Sequence, residues 1–250
     1  MTTFAALLES RLRCDPGRPL VTFYDHATGE RVELSVTTYA NWVAKAASLL
    51  AEEHDLERGQ VLHLDLPTHW LGPVFLGAAW TVGLVVGPAE DADAVVSGPE
   101  GLAAWAPRAG DLPVLACSLL PLGVRFAEPV PDGVHDVGVE IWGQPDAFAP
   151  WDPPGPDDLA LPGTTHEELW RTAAAGSLLT DGGRLLTEEN PASPPGIPSF
   201  AEPLARGGSV VLVSHSEPGR LEATYAAERA TARFPQQGPG SSAAGHPTRS

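Results

Sequence analysis

Apolar and polar positions alternate in two short stretches near the start of the chain and then give way to a helical period. Within RPLVTFYDHATGERVELS, residues 20–25 and Arg31–Ser35 are rich in Val, Thr, Phe and Tyr and flank the turn-forming HATGE, which predicts a β-hairpin. Tyr39, Trp42, Val43, Ala46, Ala47, Leu49 and Leu50 then recur at helical spacing, with Thr37 as the expected N-cap and Gly59 beyond the end. GQVLHLDLP predicts a strand, HWLGPVFLGAAWTVG an almost wholly apolar helix, and LVVGP another strand. Strand and helix alternate, so the expected class is α/β, a mostly parallel sheet flanked by helices.

The pattern continues less regularly. ADAVVSGP reads as a strand, and Ser97 with Glu100 as a capping box for a helix at 102–105; Thr165 with Glu168 and Ser199 with Glu202 have the same spacing ahead of two more helices. After the Gly207-Gly208 turn, residues 210–213 are apolar on both faces, as in a buried strand, and 221–229 form a charged helix. The 26 glycines and 26 prolines concentrate at 128–163 and 190–198, which are expected to be loops or a lobe junction, with one short strand in GVHDVGVEIW. Residues 1–235 are expected to form one domain. QQGPGSSAAGHPTRS, residues 236–250, has no core-forming side chain and is expected to be a disordered tail.

The succession TYANWVAKAASLL, ERGQVLHLDLP, LGAAWTVGLVVGP resembles the opening of the adenylate-forming superfamily, which includes acyl-CoA synthetases, luciferases and peptide-synthetase adenylation domains. PDDLALPGTTHEELWRTAAA and PSFAEPLARGGSVVLVSHSEPGRLEATYAAERAT extend the likeness to about Phe234. The resemblance implies the first part of that family's N-terminal domain, and in the family it implies carboxylate activation with ATP and magnesium. The matching residues are scaffold, and Gln60 replaces the usual Asp. The family's phosphate loop reads Ser-Gly-Thr-Thr-Gly-x-Pro-Lys-Gly; here only Gly163, Thr164 and Thr165 echo it, and they are the candidate nucleotide-binding residues. Glu167 and Glu168 follow at once and would repel a phosphate.

The single lysine, Lys45, lies in the first long helix, away from any expected phosphate, and the nearest basic side chain to the reduced loop is Arg171. The family's later nucleotide motifs and second lysine have no counterpart. The expectation is therefore a non-catalytic homologue with no catalytic residues and no cofactor, serving as a scaffold for a partner protein or a small carboxylate ligand. The alternative is an ATP- and magnesium-dependent acid ligase, or a subunit of one, with the missing lysine supplied by a separate chain.

A net charge of −17 argues against nucleic acid or an anionic membrane as partner. Cys14 and Cys117 fit no metal spacing, and no signal peptide or membrane-length apolar run is present, which points to a reduced, cytoplasmic protein. Few lysines beside abundant Arg, Ala, Gly and Pro suggest a GC-rich bacterial genome. His63, Asp65 and His69 are read as satisfied polar residues rather than metal ligands, and Trp42, Trp70, Trp80, Trp105 and Trp170 as core. Ser214-His215-Ser216 lacks a nucleophile-elbow context, and Ser216 is read as a helix cap. Because 210–213 needs cover on both faces, we expect a homodimer, or 128–163 folded back over the sheet.

Overall fold

Two five-stranded sheets, with helices between them and on their outer faces, and a small two-stranded sheet make up the computed structural model, which describes residues 2–235; the expected tail at 236–250 lies outside the described residues. The elements are α1 (Phe4–Cys14), β1 (Pro19–Asp25), β2 (Arg31–Ser35), α2 (Val36–Ser48), β3 (Val61–Asp65), α3 (Leu71–Val82), β4 (Val85–Val86), β5 (Ala94–Ser97), α4 (Leu102–Trp105), β6 (Val114–Ala116), β7 (Val134–Asp136), α5 (Val137–Glu140), β8 (Leu159–Leu161), β9 (Thr164–Thr165), α6 (His166–Ala174), β10 (Arg184–Thr187), α7 (Pro198–Ala205), β11 (Ser209–Ser214), α8 (Pro218–Ala227) and β12 (Ala232–Phe234). The first sheet has the order β12-β10-β11-β1-β2, parallel except for the β1–β2 hairpin. The second, β4-β3-β5-β6-β7, is parallel throughout. The α/β expectation holds.

The core follows from side-chain alternation on these strands. Val210 and Leu212 of β11 join the cluster between the sheets, whereas Val211 and Val213 face outward under Leu221 of α8. On the second sheet Val96 and Leu115 face the inner layer, and Val95, Val114 and Ala116 pack with Trp105 of α4 outside it. Helices α2 and α3 pack on each other in the inner layer, close enough that a Cβ on Gly77 would sit 2.4 Å from the Tyr39 hydroxyl. That hydroxyl donates to the Pro73 carbonyl at 2.8 Å. Trp80 and Trp170 meet edge to face at 5.3 Å beside Phe4, burying three large rings in one place.

Several local expectations are corrected. Strand β11 lies inside its sheet between β10 and β1, with α8 over its outer face, so neither a second copy nor 128–163 is needed to cover it. The reason given for a homodimer therefore does not apply. The cap of α2 is Ser35, whose side chain accepts from the Thr38 amide, rather than Thr37. Ser97 turns instead to Asp65 and its neighbouring carbonyl, and Glu202 accepts from the Leu178 and Leu179 amides, so neither forms a capping box. Ser216 donates to Glu188 and does not cap α8. The proline-rich segment is pinned to α2: Lys45 binds the Gln144 carbonyl and Asp146, and Ser48 donates to the Gln144 side chain.

Candidate functional site

The reduced loop is a tight hairpin between β8 and β9, with Leu161 paired to Thr164 and Pro162-Gly163 at the turn. Gly163 takes φ +70°, a left-handed conformation that an L side chain resists, and it faces open space. Thr165 caps α6 in a complete capping box with Glu168: its hydroxyl accepts from the Glu168 amide at 3.2 Å, and its own amide donates to the Glu168 carboxylate at 3.1 Å. The bond from the Thr165 amide, with one from its hydroxyl at 3.2 Å, holds the Glu168 carboxyl below its ordinary range. The His166 amide donates to Asp158 and the Glu167 amide to Pro156, both at 2.9 Å. Four successive N–H groups that a helix N-terminus would offer a phosphate are thus taken within the chain. The sequence-based expectation of a capping box here holds, and Arg171 is an exposed residue near the end of α6.

Beside this hairpin, at the carboxyl ends of β3 and β4, lies a cavity of about 630 Å³. Its walls come from Leu64, Val86 and Pro88 on one side, Leu161, Pro162 and Thr164 of the hairpin, and the 190–197 segment on the other. Open α/β sheets bind ligands outside the carboxyl ends of their strands. The polar groups that converge here are His63, Asp65, Thr164, Asn190 and Ser193. The His63 Nδ1 donates to the Gly87 carbonyl at 3.0 Å, which leaves Nε2 for a guest. Asp65 accepts from the Trp105 indole at 2.8 Å.

A second cleft, of about 410 Å³, opens at the carboxyl ends of β1, β10 and β11 and is lined by Asp25, Glu30, His69, Glu188 and His215. The Nδ1 of His69 accepts from the Leu71 amide at 3.3 Å, while its buried Nε2 has no partner among the described residues. Burial pushes its ring down to about 4, so it is neutral near pH 7. Glu30 is pushed up by burial and by nearby Asp25. Burial also raises Asp25, but bonds from Ala27, Thr28 and His215 outweigh it and leave that carboxyl low.

Among the described residues no lysine or arginine lines either cavity. An anionic guest would meet no lysine or arginine counter-charge in either cavity among the described residues. His63 and Asp65 share the 630 Å³ cavity, whereas His69 lies in the other cleft; the three form no metal cluster. Of the sequence candidates Gly163, Thr164 and Thr165, only Thr164 lines the 630 Å³ cavity, and the sequence reading missed both cavities because segments 63–69 and 188–197 meet only in the fold.

No family model matches the chain. A "TIGR03089 family protein" of Mycobacterium tuberculosis is 35% identical over 248 residues, covering 92% of this chain and 97% of that protein. Among solved structures, an acyl-CoA synthetase of Brucella canis superposes with TM-score 0.77 at 15% identity, over 93% of this chain and 47% of that one. A benzoate CoA ligase of Burkholderia xenovorans LB400 gives 0.70 at 16% identity, over 92% and 49%. The N-terminal domain of FACL13 from Mycobacterium tuberculosis gives 0.68 at 14%, over 92% and 62%. The chain thus spans about half the length of the full synthetases, and it has their N-terminal fold, as the sequence resemblance implied. Its 35% identity across nearly the whole of both sequences places the chain in the TIGR03089 protein family.

Proposed function

We propose that the chain is a non-catalytic binding scaffold on the adenylate-forming fold, and that the 630 Å³ cavity holds a small, uncharged, largely apolar molecule. The observation that carries this reading is the occupied N-terminus of α6: Thr165, His166, Glu167 and Glu168 spend their amides internally, in the place where an adenylating enzyme would cradle phosphate. The cavity wall supports the choice of ligand, being chiefly Leu, Val, Ile, Ala and Pro with a few hydrogen-bonding groups for orientation. His63 and Ser193 suit a hydroxyl or amide on such a guest. The large apolar side chains Leu122, Val139, Trp142 and Trp151 are exposed and support a protein partner, either a second copy or another chain. Two free cysteines fit a reducing, cytoplasmic setting.

A titration with a neutral apolar fluorophore such as Nile red tests the cavity assignment. Saturable binding that is lost in Thr164→Trp, where the indole fills the rim, is expected; binding unaffected by that change would refute it. The second reading is an acid ligase or ligase subunit, favoured by the fold shared with acyl-CoA and benzoate-CoA ligases. It requires a cation brought by another chain, and pyrophosphate exchange distinguishes the two.

A further inference from the structure

His54 is far in sequence from His135 and Glu140, yet the three gather at the β7 edge of the second sheet, and none of them lines either cavity described above. His54 directly follows a π-helical turn at Leu49–Glu53, which carries the chain on from the end of α2. His135 is the middle residue of the edge strand β7, and Glu140 is the last of α5. The Glu140 carboxylate stands between the two rings, with Oε2 3.1 Å from His54 Nε2 and Oε1 3.0 Å from His135 Nδ1. The rings meet edge to face with centroids 4.3 Å apart, and one ligating atom from each residue lies within 4.8 Å of the others.

We propose that these three side chains form a binding site for a divalent transition-metal ion of the zinc class. In a tetrahedral site with bonds of about 2.0–2.2 Å the donor atoms lie roughly 3.3–3.6 Å apart. The two histidine–carboxylate separations are already close to that, and the histidine pair closes by at most about 1.5 Å to reach it. The donor set of two imidazoles and one carboxylate suits zinc, cobalt or nickel and is too nitrogen-rich for calcium or magnesium. An ion would take the place of the bridging protons, each imidazole passing to its other neutral tautomer, so no net proton or electron change is required. The His54 side chain is only 5% exposed, whereas His135 is 40% and Glu140 29% exposed. Water can therefore reach a fourth position, the open arrangement of three protein ligands rather than a closed structural site. Occupied, the site would fasten the edge strand and α5 to the end of α2. A purely structural role as a hydrogen-bonded pin would hold the same groups together without any affinity for metal.

The test uses the full chain stripped with a chelator and titrated with zinc by calorimetry and with cobalt by visible absorption. One-to-one saturation is expected, with cobalt bands of a four-coordinate site and a metal-dependent rise in Tm. Glu140→Gln, which keeps the shape and a carbonyl acceptor, and His135→Ala at the exposed ligand should each weaken binding roughly tenfold or more and remove the Tm rise. Absence of saturable binding would overturn the proposal, and so would binding that both variants leave unchanged, which would put the ion elsewhere on the chain.

Discussion

The side-chain amide of Asn190 donates to the backbone carbonyl of Leu66 at 2.6 Å, joining the loop after β10 to the loop after β3. A second bond runs alongside it, from the Thr68 hydroxyl to the Glu188 carbonyl at 3.1 Å. Together they tie the carboxyl ends of the two sheets and stand between the apolar cavity, which Asn190 lines, and the acidic cleft, which Thr68 and Glu188 line. Asn190→Ala should cost about 1–3 kcal/mol in denaturant unfolding, because it strands a buried carbonyl and the Ala192 amide. Loss of Nile red binding in the same variant would accompany the opening of that wall.

Glu228 accepts from Arg31 at 2.9 Å and also from Arg184 and Tyr24, drawing together β2, β10, β1 and the end of α8. Its side chain is only 9% exposed. Glu228→Gln leaves Arg184 without its closest anion, and we expect a loss of about 2–4 kcal/mol, read from the shift in urea midpoint. A value below about 0.5 kcal/mol would mean that the cluster is screened like an ordinary surface pair.

Much of the scaffold was legible because it rests on local chemistry. The β1–β2 hairpin, α2, the apolar α3 and the capping box at Thr165 follow from periodicity and cap residues that tertiary contacts reinforce. What failed was of another kind. Ser97 and Ser199 have capping-box spacing, yet half-buried Asp65 and the 178–179 amides compete for the same groups and win. The mistaken need for cover on β11 arose because its neighbours β1 and β10 are distant in sequence from one another, so the strand order was invisible. The same remoteness hid His54 from Glu140, 86 residues away.

Thr165→Ala removes the hydroxyl that caps α6. A loss of about 1 kcal/mol is expected by thermal or chemical unfolding, and Glu168→Ala should also lower stability by opening the other half of the box. The double variant should lose less than the sum, since both serve one box.

His69 gives the fold a pH dependence. Its ring titrates near 4 when folded, below the ordinary value for an exposed histidine, so its neutral form is favoured by folding. Above about pH 6.5 neither state binds the proton and stability is complete. As pH falls from there toward 4, the unfolded chain takes up a proton that the folded one refuses, and stability drops by as much as about 3 kcal/mol. His69→Gln should flatten this part of the curve, measured as unfolding free energy at pH 7 and 4.5; an unchanged slope would assign the effect to other groups, among them His26, His54 and His166, which burial also lowers.

The most direct measurement on the central claim is carboxylate-dependent exchange of labelled pyrophosphate into ATP by the purified chain with magnesium. With the amides of Thr165 to Glu168 satisfied internally and no cation lining either cavity among the described residues, we expect no exchange and no thermal stabilisation by ATP. Measurable exchange that disappears in Arg171→Ala would contradict this and make the protein a ligase in which arginine serves in place of lysine.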